Sequence, residues 1–359
     1  MLRHGMQAFR YSTAERTAPV RVGLIGYGLA GRYFHAPLIA AVQGLELAAV
    51  VTRDTTRAAQ ARAEHPGVRI VDGPDALLHS DDIELVVIAT PNRTHAPLAL
   101  AALDAGLHVV VDKPLAPDAA TARAVIERAE ARQRLLTVFQ NRRWDGDFLT
   151  VRRLVADGRL GAVLRFESRF ERWRPEPKPG WRQSPAREDA GGLLYDLGSH
   201  LIDQALVLFG PVTSVYAELR GRGPEVTVDA DTFVALRHAC GVRSHLWMSE
   251  LAAQAGPRFR VLGTSAAFTK WGPDVQEARL RAGVRPHAGW SAEPEDAWGR
   301  LGDDARTIPV ATEPGRWVTF YEELVAAVRA GAPVPVDPRD AVAVLEVIEA
   351  ARAGNEEVP

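Results

Sequence analysis

Asp196 and His200 stand four residues apart in Tyr195-Asp196-Leu197-Gly198-Ser199-His200-Leu201-Ile202-Asp203, the spacing that places two side chains on one face of a helix. Asp203 returns to that face, while Leu194, Leu197, Leu201, Ala205 and Leu208 form an apolar side. A histidine with carboxylates one turn away has its tautomer and proton affinity set by them. Oxidation of an alcohol needs such a base to take the hydroxyl proton as a hydride leaves. The spacing by itself equally fits a helix-capping acid beside a surface histidine. A second candidate is Lys113 in Asp112-Lys113-Pro114, where the proline restricts the lysine to extended backbone. Taken alone, Asp112 and Lys113 also read as a surface ion pair of little energetic consequence.

A third candidate is Gly26-Tyr27-Gly28-Leu29-Ala30-Gly31, which joins the apolar run Val20–Ile25 to a segment of helical periodicity. In a strand-turn-helix of this kind the first glycine makes the tight turn. The second lets the backbone approach a pyrophosphate, and the third lets helix and strand pack closely. The helix start offers free N–H groups to the anion. Glycine-rich turns are common, so the weight lies in the flanking strand and helix and in a second strand ending about 20 residues on. That strand ends at Val51-Thr52-Arg53-Asp54. A carboxylate there would bind the ribose hydroxyls of NAD, and an arginine would accommodate the extra phosphate of NADP. Thr52 and Arg53 favour NADP; Asp54, one residue later, keeps NAD open.

These residues need a frame that brings them together. Apolar runs at Val20–Ile25, Leu45–Thr52, Val68–Val71, Leu85–Ala89, Leu107–Val111 and Leu135–Val138 alternate with amphipathic segments Ala30–Val42, Thr55–Glu64, His95–Ala105 and Asp118–Ala131. Runs that are apolar throughout suit parallel strands covered on both faces. The alternation predicts a doubly wound α/β domain with right-handed crossovers. Ligands of such sheets bind beyond the carboxyl ends of the strands, where Ala89-Thr90-Pro91-Asn92 and Asp112-Lys113-Pro114 fall.

After Asn141 the rhythm changes. A helix Phe148–Asp157, a strand Ala162–Glu171, a proline-rich loop Trp173–Pro185 and a helix Gly192–Phe209 lead into strands Val212–Arg220, Asp231–Arg237, Val242–Met248, Arg258–Gly263 and Ala266–Trp271. Helices Val318–Ala330 and Arg339–Ala353 close the chain. Successive strands predict an α+β domain on a mainly antiparallel sheet. The expected division is an N-terminal tail over 1–19, a dinucleotide-binding domain over 20–140, and an α+β domain over 141–359, to which the family resemblance given below adds substrate binding and oligomerisation.

Composition narrows the function classes. A chain of 359 residues exceeds one ordinary core,, and a formal charge of -2 leaves no footprint for nucleic acid or an anionic membrane,. No run of about 18 apolar residues offers a membrane span. Cys240 is the sole cysteine, which excludes an internal disulfide and a cysteine-based zinc site. No metal is expected, and the cysteine usage fits a reducing compartment such as the cytoplasm.

Together Gly26–Gly31, Ala89–Asn92, Asp112–Pro114 and the Asp196–His200 pair resemble the GFO/IDH/MocA oxidoreductases, from Val20 to the end of the chain. Phe34-His35-Ala36-Pro37-Leu38, Gln140-Asn141-Arg142-Arg143-Trp144-Asp145, Arg172-Trp173-Arg174-Pro175-Glu176 and Leu194–Asp203 are most similar to the NADP-preferring scyllo-inositol dehydrogenase branch. The resemblance implies a Rossmann domain followed by an α+β domain whose large open sheet joins a homo-oligomer, dimer or tetramer. It also implies hydride exchange between NAD(P) and a secondary alcohol of a small polyhydroxylated substrate. Lys113 would contact substrate and nicotinamide, Asp196 would bind and orient, and His200 would act as general acid and base. The family usually has Glu-Lys-Pro where this chain has Asp112-Lys113-Pro114, so the carboxylate keeps its charge and loses reach.

The expected cofactor contacts are Gly26, Tyr27, Gly28, Leu29, Ala30 and Gly31 in the loop, Thr52 and Arg53 after the second strand, and Ala89, Thr90, Pro91, Asn92 and His95 after the fourth. Asp112, Lys113 and Asn141 complete that set. The expected substrate contacts are Lys113, Arg143, Trp144, Trp173, Tyr195, Asp196 and His200, with Arg174 and Trp181 as further donors and aromatic faces. Of Arg142 and Arg143, at least one should reach the cleft; His35 reads as a packed, hydrogen-bonded histidine. Three rival readings remain: a nicotinamide-dependent glycosidase, a non-enzymatic NADP sensor, and an interaction protein whose sheet only dimerises.

Overall fold

A strand buried on both faces sends alternate side chains into two different layers, and β-strands of the first sheet show this directly. The computed structural model describes residues 18–177, 179–223 and 228–354, so the expected tail lies outside it as far as residue 17. Six parallel strands, β1 (Val20–Ile25), β2 (Leu45–Val51), β3 (Arg69–Val71), β4 (Leu85–Ile88), β5 (His108–Asp112) and β6 (Leu136–Phe139), lie in the order β3-β2-β1-β4-β5-β6. In β4, Leu85 and Val87 join a layer with Leu38, Ile39, Phe320 and Tyr321. Val86 and Ile88 join a layer with Ala99, Leu103 and Val125. Strand order reverses between β1 and β4, which sets the loop after Ile25 beside Ala89 at the topological switch point,.

The second sheet holds β7 (Val163–Glu171), β8 (Val212–Arg220), β9 (Asp231–His238), β10 (Arg243–Ser249), β11 (Phe259–Gly263), β12 (Ala267–Lys270), β13 (Gly299–Gly302) and β14 (Thr307–Val310), in the order β14-β13-β12-β11-β7-β10-β9-β8. Its neighbours are antiparallel except β7 and β10, which run parallel with Glu171 opposite Ser249. β13 and β14 escaped the sequence reading for a physical reason. One carries two glycines, the other a proline on a largely exposed edge, and neither shows the alternation of a half-buried strand,. The inner face, with Phe166, Val234, Leu246 and Val261, packs in one core with Leu201 and Ala205 of the helix Ser199–Phe209 and with Leu345 and Ile348 of the helix Pro338–Ala353. The helix Trp317–Ala330 covers the first sheet instead.

Two helices begin differently from the expected regular ones. The segment Ala30–Val42 opens on a π-helical turn, Gly31–His35, before Ala36–Ala41. The segment Gly192–Phe209 opens on another, Leu194–Gly198, before Ser199–Phe209. Such wide turns frequently occur at functional sites. Among the described residues, no helix is long and apolar enough to cross a membrane.

Candidate functional site

A cleft of about 1110 Å³ runs from the carboxyl ends of β1, β2, β4 and β5 to residues of the second half of the chain. At its nucleotide end, Gly26 has φ +98°, and a Cβ there would stand 2.5 Å from the Ala89 carbonyl oxygen. A Cβ on Gly31 would stand 2.0 Å from the Gly26 carbonyl oxygen, so this glycine packs behind the loop and does not line the cleft. Gly28 lines the cleft, and a Cβ there would meet nothing within 4 Å. The open space over Gly28, beside a helix start, fits the pyrophosphate of a dinucleotide. Tyr27, Leu29 and Ala30 also line this end. The Tyr27 ring turns inward and its hydroxyl donates to Glu64 at 2.8 Å, so Tyr27 offers the cleft mainly backbone.

Thr52, Arg53, Asp54 and Arg57 line the adjoining wall. Arg53 Nε donates to the Asp72 carbonyl at 2.9 Å. Asp54 is the N-cap of the helix Thr55–Glu64, its Oδ1 accepting the Arg57 N–H at 3.0 Å,. Ala89, Thr90, Pro91, Asn92, His95 and Asn141 all reach the cleft. His95 is buried with its ring nitrogens 2.7 Å from the Pro114 carbonyl and 2.8 Å from the Thr90 carbonyl, tying two strand ends together. The Asn92 amide donates to the carbonyls of Asp189 and Ala190, and Arg93 pairs with the Asp189 carboxylate, so this corner grips the second half of the chain.

Asp112 accepts the Lys113 N–H at 2.7 Å, and its other oxygen lies 3.6 Å from His35 Nε2. His35 is fully buried, with Nδ1 2.6 Å from the Tyr321 hydroxyl. Burial would raise the Asp112 carboxyl, but the neighbouring His35, Lys113 and His95 outweigh it and hold it below its ordinary value,.

At the other end, Lys113 Nζ donates to the Asp196 backbone carbonyl and lies 3.2 Å from Asp196 Oδ1. Arg182 Nε reaches the same oxygen at 3.2 Å. Burial would raise Asp196, yet the Lys113 ammonium and the Arg182 guanidinium hold it well below the usual carboxylate range. His200 lines the cleft, with its Nδ1 buried and without a hydrogen-bond partner among the described residues. Burial first, then the charges of Lys113, Arg142 and Arg258, push the imidazole well below its ordinary pKa, so it is neutral near pH 7,. Lys113, Asp196 and His200 are thus brought together around one space.

Several expected substrate contacts lie elsewhere. Arg143 points into the protein, where its guanidinium holds Asp203 at 2.5 and 2.8 Å and Asp340 at 3.0 Å. Asp203 therefore serves Arg143 and not His200; a buried carboxylate left without that cation would be costly. Arg142 is the arginine that reaches the cleft, bonded to Glu277 at 2.9 Å and Asp145 at 3.2 Å. Trp144 is buried against Phe320. Tyr195 is buried with its hydroxyl on the Pro117 carbonyl at 2.9 Å, facing away from the cleft because the wide turn at Leu194–Gly198 sends Asp196 and Leu197 forward instead. Trp173 is 59% exposed outside the cleft, bridged to Leu251, while Trp181 and Arg174 line it. Glu250 and Arg182 also line it. Neither stood out in the sequence, because the partners that identify them lie 14 to 78 residues away.

Comparison with known proteins agrees with this architecture. Residues 20–140 match a model described as an oxidoreductase family with an NAD-binding Rossmann fold, and residues 148–269 match the GFO/IDH/MocA C-terminal domain. The chain is 41% identical over 335 residues to the Escherichia coli oxidoreductase YdgJ, covering 92% of this chain and 94% of that one. It is 32% identical to the Bacillus subtilis protein named scyllo-inositol 2-dehydrogenase (NADP(+)) IolW, covering 94% of each. The solved structure of the Bacillus subtilis oxidoreductase YvaA superposes with a TM-score of 0.89 at 31% identity, covering 94% of this chain and 96% of that one. A glycine cradle at the switch point of a Rossmann sheet and a mixed eight-stranded companion sheet, matched over both halves, make the chain a member of the GFO/IDH/MocA family of NAD(P)-binding oxidoreductases.

Proposed function

We propose that the cleft interconverts a secondary alcohol and a ketone on a small polyhydroxylated substrate, in the manner of a scyllo-inositol dehydrogenase. The observation that carries this reading is the meeting of Lys113, Asp196 and a neutral, buried His200 in the same cleft as the Gly28 loop. A bound nicotinamide supplies the two-electron exchange. His200, uncharged near neutral pH, takes the hydroxyl proton on its ring nitrogen in the oxidising direction and returns it in the reverse. Lys113 donates to the substrate oxygen and stabilises negative charge developing there. Asp196 holds Lys113 in place and keeps one oxygen for a substrate hydroxyl. His200 is buried and Lys113 and Asp196 are partly so, which limits water at the reacting carbon,.

For the cofactor, the reading is NADP. Asp54, the residue that would favour NAD, already accepts the Arg57 N–H as a helix cap, while Arg53 and Arg57 line the wall where a 2′-phosphate would lie. The relative named as an NADP-dependent scyllo-inositol 2-dehydrogenase supports both halves of the proposal. The reading includes a homo-oligomer, dimer or tetramer, joined through the outer face of the second sheet, where Tyr216, Phe233 and Trp247 form a partly exposed aromatic cluster. Initial rates on scyllo-inositol, myo-inositol, aldoses and small carbonyls with each cofactor test the function. Turnover with NADP supports it; no turnover of any polyol, or a higher kcat/KM with NAD, overturns the corresponding half.

A further inference from the structure

The second-half wall of the cleft carries an arginine cluster that transfer of a hydride does not require. Glu250 follows β10 and Arg172 follows β7, so both sit at the carboxyl ends of the sheet's parallel pair. The backbone pairing continues past the strands, Arg172 N–H to the Ser249 carbonyl at 2.9 Å and Arg174 N–H to the Glu250 carbonyl at 2.8 Å. Glu250 is only 4% exposed. Its Oε1 accepts Arg172 Nε at 3.1 Å, Arg172 Nη2 at 2.6 Å and Arg174 Nη1 at 2.9 Å, and its Oε2 pairs with Arg222. One carboxylate thus faces three guanidiniums.

The neighbouring charges do not cancel the surplus. Arg182 bonds Asp196, which Lys113 already occupies, while Asp112 accepts the Lys113 backbone N–H. Of the other acids lining the cleft from the second half, Glu277 pairs with Arg142 and Arg281, and Asp229 accepts the Leu194 N–H and the Thr232 hydroxyl. Arg172, Arg174, Arg222 and Arg182 therefore share the carboxylates of Glu250 and Asp196. Arg222 is locked by the carbonyls of Arg174 and Pro175 at 2.7 and 2.8 Å and reads as a brace. Arg172 and Arg174 line the cleft, and Arg172 Nη1 and Arg174 Nε and Nη2 make no hydrogen bond among the described residues. Guanidinium donors held by a buried carboxylate, with N–H groups left over, suit a planar or tetrahedral oxyanion.

We infer that Arg172 and Arg174 form an anion subsite, and that the substrate is a polyol carrying an acidic group, a carboxylate or a phosphate, on the part of the molecule away from the reacting carbinol. The inference deepens the proposed polyol oxidation and rests on it for the word substrate, but the subsite can be read by binding alone. Calorimetric titration of the NADP-loaded protein with D-glucuronate, D-glucose 6-phosphate and D-glucose compares one carboxylate and one phosphate with their neutral counterpart.

The expected result is that one acid binds at least about tenfold more tightly than glucose, as a charge-assisted hydrogen bond provides. That acid names the group. The preference should shrink as salt rises from about 0.02 to 0.5 M, because salt screens charge attraction. It should also collapse in Arg174→Gln, where Arg172 and Arg222 still satisfy Glu250, with NADP titration checking that the variant is folded. Equal binding of acids and glucose, no binding of either acid, or a preference unchanged in both Arg174→Gln and Arg172→Gln overturns the inference. Acid binding that depends on Arg174 without oxidation of any polyol would instead overturn the proposed reaction and leave the subsite standing. Oxidation of neutral polyols with no preference for acids would do the opposite.

Discussion

At the nucleotide end of the cleft, what matters is backbone: a six-residue loop in which Gly26 and Gly31 are required by φ or by distances to carbonyl oxygens within the same corner, and Gly28 leaves space open. At the substrate end, what matters is side chains: Lys113, Arg182, Asp196 and Glu250, each meaningful through its partner, and His200, whose setting is burial and nearby charge. The first kind of site is local, so a short motif can specify it. The second depends on two sheets meeting, and a residue's type says little until its neighbour is known. Arg142 and Arg143 show the difference within one dipeptide: one lines the cleft, the other is locked to Asp203 and Asp340.

The largest effect should come from the substrate end. His200→Asn is expected to lower kcat by about 10²–10⁴-fold, while the Kd for NADP, measured by fluorescence titration, changes far less. Because burial and nearby cations depress the His200 pKa, kcat/KM for alcohol oxidation should stay high as pH falls through 6.5 and decline only below it. The same shift makes stability present above the unfolded histidine's pKa and lost as pH falls. An acid limb at or above pH 6.5 would remove His200 from the role of base.

Arg143→Ala probes the boundary between the two kinds of residue. It strands the buried Asp203 carboxylate and should cost about 3–5 kcal/mol of stability by chemical denaturation. A folded Arg143→Ala protein of unchanged stability but raised substrate KM would return Arg143 to the substrate site. At the nucleotide end, Gly31→Ala forces a Cβ against the Gly26 carbonyl and should lower stability by about 1–3 kcal/mol without any cofactor. Gly28→Ala has open space, so its Tm without cofactor should match wild type while NADP binding weakens. Equal stability losses in the two variants would contradict the division between packing and cradle.

The smallest expected effects concern cofactor choice. Arg53→Ala should reduce the NADP preference about tenfold, the loss of a charge-assisted contact. Asp54→Ala should cost about 1 kcal/mol of stability as a lost cap and leave the NADP-to-NAD ratio of kcat/KM nearly unchanged. A large swing in that ratio from Asp54→Ala would restore Asp54 as the ribose ligand.

Much of this was legible beforehand because it follows from short-range rules. Apolar runs such as Leu85–Ala89 announce strands covered on both faces, and the β4 side chains do divide between two layers. Gly26–Gly31 announces a tight turn before a helix, and Gly26 and Gly31 meet the expected steric demands while Gly28 leaves open space over the loop. By contrast β13 and β14 lack the pattern that marks a strand, since they gain their order by pairing onto an existing edge. Trp144 and Tyr195, aromatic faces that the sequence offers to a polyol, lie in the core instead, because large rings fit a core as readily as a cleft,.

By itself the amino-acid order determined the alternating elements, the phosphate loop and the types of residue able to move a proton, since each depends on neighbours within a few positions. Only the tertiary structure decided which arginine faces the cleft, which carboxylate pairs with Lys113, and how π-helical turns aim Asp196 and His200. Those outcomes depend on charges and packing brought together from distant parts of the chain, where burial makes an unpaired ion costly and so dictates the pairing,.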